Sequence, residues 1–574
     1  MPVARQKLIK PLLICLVLAG IHLRSCGQSN SGETFMTLLE SARRASNDQR
    51  WKDAAPLWER IVEVNPVNGE FVSRLGEANY YTAKYPEAIS AYKQQLELGY
   101  GRIEIATYNI ACIYALMGDK ENALDWLDKA FKEGFPDYNY AIQDPDLKSL
   151  HGNPRFEKIV ARVDLSKLSR VDGWLHDLDL LQREIDRKAY KGERYNEKLV
   201  RTEIEDLRKK VSKLTDNELV LEVIKIMVKV GDGHSWAFPP PDKLDFKNSL
   251  PLLLYQFKEG LYVIAGDPKY KELLGNQVIE YAGIPVDRFK AIFDPYIFRD
   301  NQMAILVRIP YLLRTPGYLK TLNLIKDAEV IDLKVKDLKG NVKTVAVTTD
   351  TTQPNIWNIL PNPDSWINFQ QTLPGNLPLY LKDMKTEHWW ELMPDKKTVY
   401  CQLNKIRNSQ NQSFAQFAER LFKFFDSTGA EKLVLDMRWN NGGNTGLILP
   451  LINGINSHKT INKRGNFFVI IGRRTYSAAQ NTATMLERFT NPIFVGEPTG
   501  SSPNFVGEER PLVLPYSKMI INVSNLFWQT SWPTDKRTWI APTIYAPPTF
   551  ESFKANRDTA LEAIIEYTKQ VKGF

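Results

Sequence analysis

Ala42, Gly76 and Ala111 stand 34 and 35 residues apart, and each is followed twelve positions later by an alanine: Ala54, Ala88 and Ala123. Four positions further on come Trp58, Tyr92 and Leu127. Small side chains let two helices cross closely, and a large one on the second helix fills the space beside the crossing. A register kept three times therefore dictates stacked helix pairs, because a single pair cannot bury its own apolar face. Pro66 and Pro136 end the first and third units. Residues 34–163 form one helical array on this reading, with a capping helix and its lead-in over Asp144–Val163.

The array resembles tetratricopeptide repeats, which implies either a solubilising spacer or a concave surface for a protein partner. At 574 residues the chain is too long for one core, and the pattern after the array changes several times. Residues 170–236 carry apolar residues at spacings of three and four, as helices do, and the last helix stops at Gly231-Asp-Gly233. Residues 249–350 read as strands, with a hairpin turn at Gly340-Asn341. Within them, Leu274-Gly-Asn-Gln-Val-Ile-Glu-Tyr-Ala-Gly-Ile-Pro-Val286 resembles the core of a PDZ domain, and Pro310–Leu324 is an insert on that pattern. Residues 351–397, rich in Pro, Asn and Trp, read as a connecting segment. Residues 398–570 begin with strands and helices in alternation, which predicts an α/β layered domain with its active groups at the C-terminal ends of the strands.

Ser477 lies where this alternation places chemistry. It follows the apolar run Phe467-Phe-Val-Ile-Ile471 and precedes a predicted helix from Ala478 to Arg488. A hydroxyl at a helix N-terminus sits among free N–H groups that favour negative charge, a setting that suits a nucleophile. On its own, Ser477 also fits an ordinary N-cap serine. Two further pieces accompany it. One is Gly231-Asp-Gly-His234-Ser235. The other is Leu433-Val-Leu-Asp436-Met-Arg-Trp-Asn440-Asn-Gly442-Gly443, a buried strand that ends in a glycine turn. His234 is a competent base near neutral pH, and the two glycines before it let the backbone turn sharply. His458, in the polar loop Asn456-Ser-His-Lys-Thr460, is the rival base and reads as solvated. Gly442, Gly443 and Ala478 are candidates for an oxyanion hole, since glycine lets the backbone approach a carbonyl closely. Asp436 reads as structural, tying down its loop.

These three motifs, in this order and spacing, resemble the tail-specific (C-terminal-processing) and tricorn-core serine peptidases over roughly residues 170–570. The resemblance implies a multidomain protein in which a helical segment, a PDZ-like module and an α/β, crotonase-like layered core assemble one site. It implies Ser477 as nucleophile and an acyl-enzyme route, with no cofactor. Processing members activate the serine with a lysine about 25 residues downstream, but no lysine occurs from Ala478 to Ser517 and the first is Lys518. Tricorn-like members use a histidine at the position of His234, a serine beside it and a distant acid. Here the serine, Ser235, follows His234. Asp535 is the chosen acid, with Glu508 and Glu509 as alternatives. Gln480 stands where the family carries Glu, and Thr543 follows Pro542 where the family carries Asp. Those two departures keep open a catalytically inactive relative that binds peptide or an apolar ligand, or a scaffold whose repeats carry the function.

Composition narrows the setting. Hydrophobic residues make up 43% and charged residues 25%, ordinary for a globular chain. Of the net charge of +8, four positive charges (Arg5, Lys7, Lys10 and Arg24) lie in a leader without acidic residues. No Lys/Arg block remains that would argue for nucleic acid. Cys112 and Cys401 sit in apolar stretches and read as buried thiols, and neither His-Glu-x-x-His nor Cys-x-x-Cys occurs to hold zinc. Residues 1–27 read as an export leader: a short basic region, Lys7–Lys10, then an apolar run, Pro11–Leu23, too short to span a bilayer comfortably. Cleavage after Gly27 is one reading. Leu23-Arg-Ser-Cys26, which resembles a bacterial lipobox, is the other, with Cys26 lipidated and residues 27–32 as a polar tether. The expected place is the bacterial cell envelope or the exterior. Fractionation checks this: mature protein is expected beyond the cytoplasmic membrane, and Cys26→Ser is expected to release a lipidated form from the membrane fraction.

Overall fold

The computed structural model describes residues 34–135, 138–160, 167–240, 244–352 and 365–572. The leader, including Cys26, lies outside them. The chain divides into two compact units, residues 1–162 and 163–574. Among the described residues no helix is long and apolar enough to cross a membrane.

The first unit is the helical array. Its six long helices are α1 (Phe35–Asn47), α2 (Trp51–Val64), α3 (Gly69–Tyr81), α4 (Tyr85–Glu97), α5 (Ile103–Leu116) and α6 (Lys120–Lys132). The repeat positions fall where the spacing put them. Ala42, Ala111, Ala54, Ala88 and Ala123 are completely buried, as are Trp58 and Leu127. Gly76 shows why the first position is small: a Cβ there would stand 3.0 Å from the ring of Tyr92, the large residue of its own repeat. Trp58 buries its whole indole and donates its N–H to Ser46 Oγ at 2.8 Å. Pro154–Val160 closes the described part of this unit, over Phe156 and Leu150. Cys112 is buried, as expected, and donates weakly to Asp144.

The second unit begins with α7 (Arg170–Lys188), α8 (Glu197–Arg208) and α9 (Asp216–Val228). Thr215 and Glu218 make a reciprocal cap at the start of α9, and Gly231, at φ +91°, turns the chain out of it. The buried Asp177 of α7 accepts the backbone N–H groups of Tyr516 and Ser517 at 2.9 and 2.7 Å, which ties the helices to a turn late in the chain. The β module follows: β1 (Leu252–Phe257), β2 (Gly260–Gly266), β3 (Gln277–Tyr281), β4 (Val330–Lys336) and β5 (Val342–Thr348) pair in that order, all antiparallel. In β4, Ile331, Leu333 and Val335 are buried while Val330, Asp332 and Lys336 are exposed, the alternation of a strand covered on one face. The insert is helical: α10 (Met303–Leu312) and a turn at Gly317–Thr321.

The last part is a six-stranded sheet. Its strands are β6 (His388–Leu392), β7 (Thr398–Leu403), β8 (Lys432–Asp436), β9 (Phe467–Ile471), β10 (Ile493–Gly496) and β11 (Ile544–Tyr545), in the order β11-β10-β9-β8-β7-β6. All pairs are parallel except the β6–β7 edge. Helices α11 (Phe414–Thr428), α12 (Leu449–Ser457) and α13 (Ala478–Phe489) pack on one face and α14 (Thr559–Lys572) on the other. Every residue of β8 and β9 is buried, as for parallel strands covered on both faces. The stretch 351–397 does more than connect. Ile367–Asn368 extends the β module beside β2, and β6 is the edge strand of the core sheet. Its Trp and His content hid a strand that is only partly buried.

Trp58 gives a quantitative check on the array. In residues 34–162 produced alone, Trp58→Ala is expected to cost about 3–5 kcal/mol, the usual loss for a fully buried aromatic. Urea denaturation reads this directly, and a loss below ~1 kcal/mol would contradict the packing described.

Candidate active site

β9 ends at Ile471, and a hydrogen-bonded turn follows: the Thr475 N–H donates to Gly472 O at 2.8 Å, and Thr475 Oγ1 reaches Met437 O at 3.0 Å. Tyr476 N–H then donates to Asn440 O at 3.1 Å. The turn leaves Ser477 at φ +54°, ψ −125°, a conformation that costs a non-glycine residue energy and that its neighbours must hold in place. α13 begins at the next residue. Ala479 and Asn481 donate back to Tyr476 and Ser477, whereas the Ala478 N–H has no acceptor among the described residues. Ser477 itself is half-buried and makes no capping bond, so its hydroxyl is free of the ordinary N-cap role.

The glycine turn approaches from β8. Asp436 is fully buried and accepts from Tyr400 OH at 2.7 Å and from Arg438 N and Nε at 3.0 and 3.1 Å. Burial pushes its carboxyl up, and the Arg438 guanidinium pulls it back. Arg438 also grips Asp558 through two bonds of 2.8 Å. Asn440, completely buried, donates to Leu403 O at 2.8 Å and accepts the Gly442 N–H at 2.9 Å. Asp436 is thus the loop anchor the sequence suggested.

This bonding corrects one expected role. The Gly442 N–H is committed to Asn440, so it cannot serve an oxyanion. Gly442 instead makes room: at φ +117°, a Cβ there would lie 2.8 Å from Ser477 Cβ and 3.0 Å from Ala478 N. The Gly443 N–H has no acceptor among the described residues, and its φ of +140° and a would-be Cβ 2.1 Å from Ile406 O require glycine. Gly443 and Ala478 remain as the two donors.

His234 lies beside Tyr476, the residue before Ser477. Its ring stacks on Tyr476 (centroids 4.5 Å apart, 19° between planes) and on Phe505 from a strand late in the chain (5.2 Å, 15°). Tyr476 OH donates to Gly233 O and stands 3.2 Å from His234 Nδ1. A phenol has one proton, so with that proton on Gly233 O its oxygen accepts from Nδ1–H. The lone pair is then on Nε2, which is buried without a partner. Burial, and secondarily Arg308 of α10, pull the imidazole down to about 3, with the Val506 backbone acting the other way. His234 and Ser477 are adjacent through Tyr476 but not hydrogen-bonded in this structure.

Two other expected residues are placed elsewhere. Ser235 Oγ donates to Asp232 at 2.7 Å and accepts the Ser524 N–H at 3.0 Å, so it fastens the loop and does not reach the imidazole. Asp535 accepts from Ser531 Oγ at 2.6 Å and from Arg537, whose guanidinium also holds Glu487. That pairing holds its carboxyl well below the usual range and leaves nothing for His234. Among the described residues no carboxylate hydrogen-bonds the His234 ring, the alternatives Glu508 and Glu509 included. His458 is tied to Asp426 at 3.0 Å and accepts from the Thr460 and Ile461 N–H groups, a turn-fastening role. Gln480 is fully buried on α13 and bonded to Thr484 at 3.2 Å, while Thr543 is exposed before β11.

Sequence reasoning missed Tyr476, Phe505 and Asp300 as parts of this site. Tyr476 was inside the serine motif, but nothing in its spacing showed that its ring would reach Gly233. Asp300 accepts the Gly233 N–H at 2.9 Å from a region read as part of the β module.

Comparison with known proteins bears on the fold. The chain covers 98% of a structure of mature CPAF complexed with lactacystin, which covers 70% of the chain at 13% identity, with a TM-score of 0.50. The second unit has the fold of mature CPAF. The layered architecture expected from the motifs is therefore the one found. A structure of the photosystem II D1 C-terminal processing protease also aligns, over 70% of this chain and 97% of that one, at 12% identity and a TM-score of 0.34. Among curated proteins, a chloroplastic protein of Arabidopsis thaliana is 29% identical over 85 residues, 14% of this chain. The chain spans a quarter of the length of that relative. No family model matches.

Asn440 offers a test of how the site is held. Asn440→Ala removes the partners of Leu403 O and Gly442 N together, and a loss of about 2–4 kcal/mol is expected, from about 1–3 kcal/mol for each buried group left unpaired and some overlap between them. Chemical denaturation measures it. An unchanged midpoint would show that the glycine turn is held by other means.

Proposed function

We propose that the chain is an exported serine peptidase that cleaves peptides or unfolded protein tails through an acyl-enzyme on Ser477. The observation that carries this reading is Ser477 at φ +54° on a helix N-terminus, with the unengaged N–H groups of Gly443 and Ala478 on either side and His234 stacked on the adjacent Tyr476. In this mechanism Ser477 Oγ attacks the scissile carbonyl carbon and its proton passes to His234 Nε2. The carbonyl oxygen takes the negative charge, held by the two backbone donors. Collapse expels the amine, which takes the proton from His234. Water then repeats the cycle on the ester and frees Ser477. Tyr476 does the orienting that an acid does elsewhere, since it accepts from Nδ1–H and presents Nε2 as the base. Substrate has to bring Oγ and Nε2 together, and catalytic hydrogen bonds often tighten only in the complex. The repeats offer a surface for a protein partner.

The second reading is a binding protein that keeps the fold. It is favoured by the lack of any described carboxylate bonded to His234 and by Gln480 in place of Glu.

A fluorophosphonate probe separates the two. The wild type is expected to be labelled and Ser477→Ala to stay blank, with His234→Ala slower by ~10²–10⁴-fold. Equal labelling of wild type and Ser477→Ala would overturn the assignment. The pH profile gives a sharper check. A base lowered from 6.5 to about 3 keeps its lone pair as pH falls. The acid limb of kcat/KM is therefore expected well below pH 6, and a limb near 6.5 would show that the working imidazole is not the buried one seen here.

A further inference from the structure

A cavity of about 340 Å³ lies between the β module and the segment that follows it. Its volume falls within the ~300–1,000 Å³ of small-molecule sites. Its walls are aromatic: Tyr255 and Phe257 from β1, Trp366 and Tyr380 from the segment after the module, Trp439 from the glycine-turn loop and Phe553. Trp439 stacks on Tyr380 (6.4 Å, 20°) and meets Tyr255 edge-on (6.1 Å, 64°), so the rings brace one another around the space.

Two polar groups on this wall are buried without a partner: the Trp439 indole N–H and the Gln370 side-chain nitrogen. Gln370 is 5% exposed. Buried donors are nearly always paired in folded proteins, and unpaired ones on a cavity wall call for an acceptor that the chain does not supply. Three of the aromatic walls also carry a guanidinium: Arg438 lies 4.5 Å from the Tyr380 ring, Arg314 5.1 Å from Trp366 and Arg473 5.3 Å from Tyr255. Arg438 and Arg473 are themselves paired with Asp558 and Glu497, so the charges on the lining are those of Lys382, Asp383 and Lys385; two lysines to one carboxylate, together with the two N–H donors, favour a guest with oxygen acceptors and a single negative charge.

We propose that this cavity is a binding site for a small aromatic carboxylate, with the rings enclosing the aromatic body and the Trp439 and Gln370 donors holding the carboxylate oxygens. The inference stands independently of the peptidase reading, because neither Ser477 nor His234 lines the cavity.

Calorimetric titration of the full chain with 2-naphthoate tests it. Saturable one-to-one binding is expected. Trp439→Phe keeps an aromatic wall and removes only the donor, and Gln370→Leu removes the other, and each is expected to weaken binding about tenfold, as for loss of a hydrogen bond to a charged group. Ser477→Ala is expected to bind as the wild type does. 2-Methylnaphthalene, which has the rings and no acceptor, is expected to bind at least about tenfold more weakly. Circular dichroism melting establishes that each variant is folded, and Gln370→Leu carries the test if Trp439→Phe is not. The proposal is overturned if 2-naphthoate does not saturate, if the folded variants bind it as the wild type does, or if the neutral hydrocarbon binds equally well.

Discussion

Asn440 is the joint on which this site depends. Its side chain fixes the end of β7 through Leu403 O and the glycine turn through Gly442 N, while its own carbonyl receives the N–H of Tyr476. One completely buried amide thus sets three chain segments against each other: the strand, the glycine turn and the residue before Ser477. A neutral amide suits this better than a carboxylate, since it donates to one backbone group and accepts from another without burying an unpaired charge. The charged groups stand one step back, where Asp436, Arg438 and Asp558 satisfy each other below the loop. Polar groups buried this completely hold position because every alternative arrangement leaves one of them unpaired.

Much of the architecture was legible because it rests on local pattern. The repeat register reads out as small side chains at helix crossings, and Gly76 against Tyr92 shows the steric reason at atomic scale. The unbroken apolar runs of β8 and β9 announce parallel strands covered on both faces. Ser477 was legible from the apolar strand before it, the predicted helix after it and the two companion motifs, and the two glycines from the close backbone approach that glycine allows. β6 was not legible, because an edge strand partly buried on both faces, with three aromatic or imidazole side chains, carries no clean alternation. The partners of His234 were hidden more deeply. Tyr476 and Phe505 meet it across more than 240 residues of sequence, and such contacts leave no trace in spacing.

Asp535 shows how a plausible acid fails. Its position late in the chain suited a third member of a triad, yet Arg537 two residues on and Ser531 four residues before offer bonds that need no long-range closure. Local pairing wins because the entropy of ordering neighbours is small, whereas reaching a distant imidazole requires the fold to supply both geometry and desolvation. Ser235 follows the same logic, since Asp232 is three residues away and already desolvated.

The burial of His234 has a consequence for any chemistry at Ser477. An imidazole enclosed by two aromatic rings and a nearby guanidinium is a weak base in the resting state, and a weak base is a poor partner for a serine hydroxyl. Its basicity rises only if charge develops next to it or if its surroundings open. On the peptidase reading an oxyanion held by Gly443 and Ala478 would supply such charge, because a negative oxygen near the ring offsets the guanidinium's repulsion of the imidazolium. Phe505 belongs to a short strand, Asn504–Gly507, whose one strand partner among the described residues is Leu526–Gln529, so a two-stranded ribbon covers the ring. On the proposed mechanism the enclosure that keeps His234 neutral at rest also sets its strength as a base, which would grow with charge developing beside it.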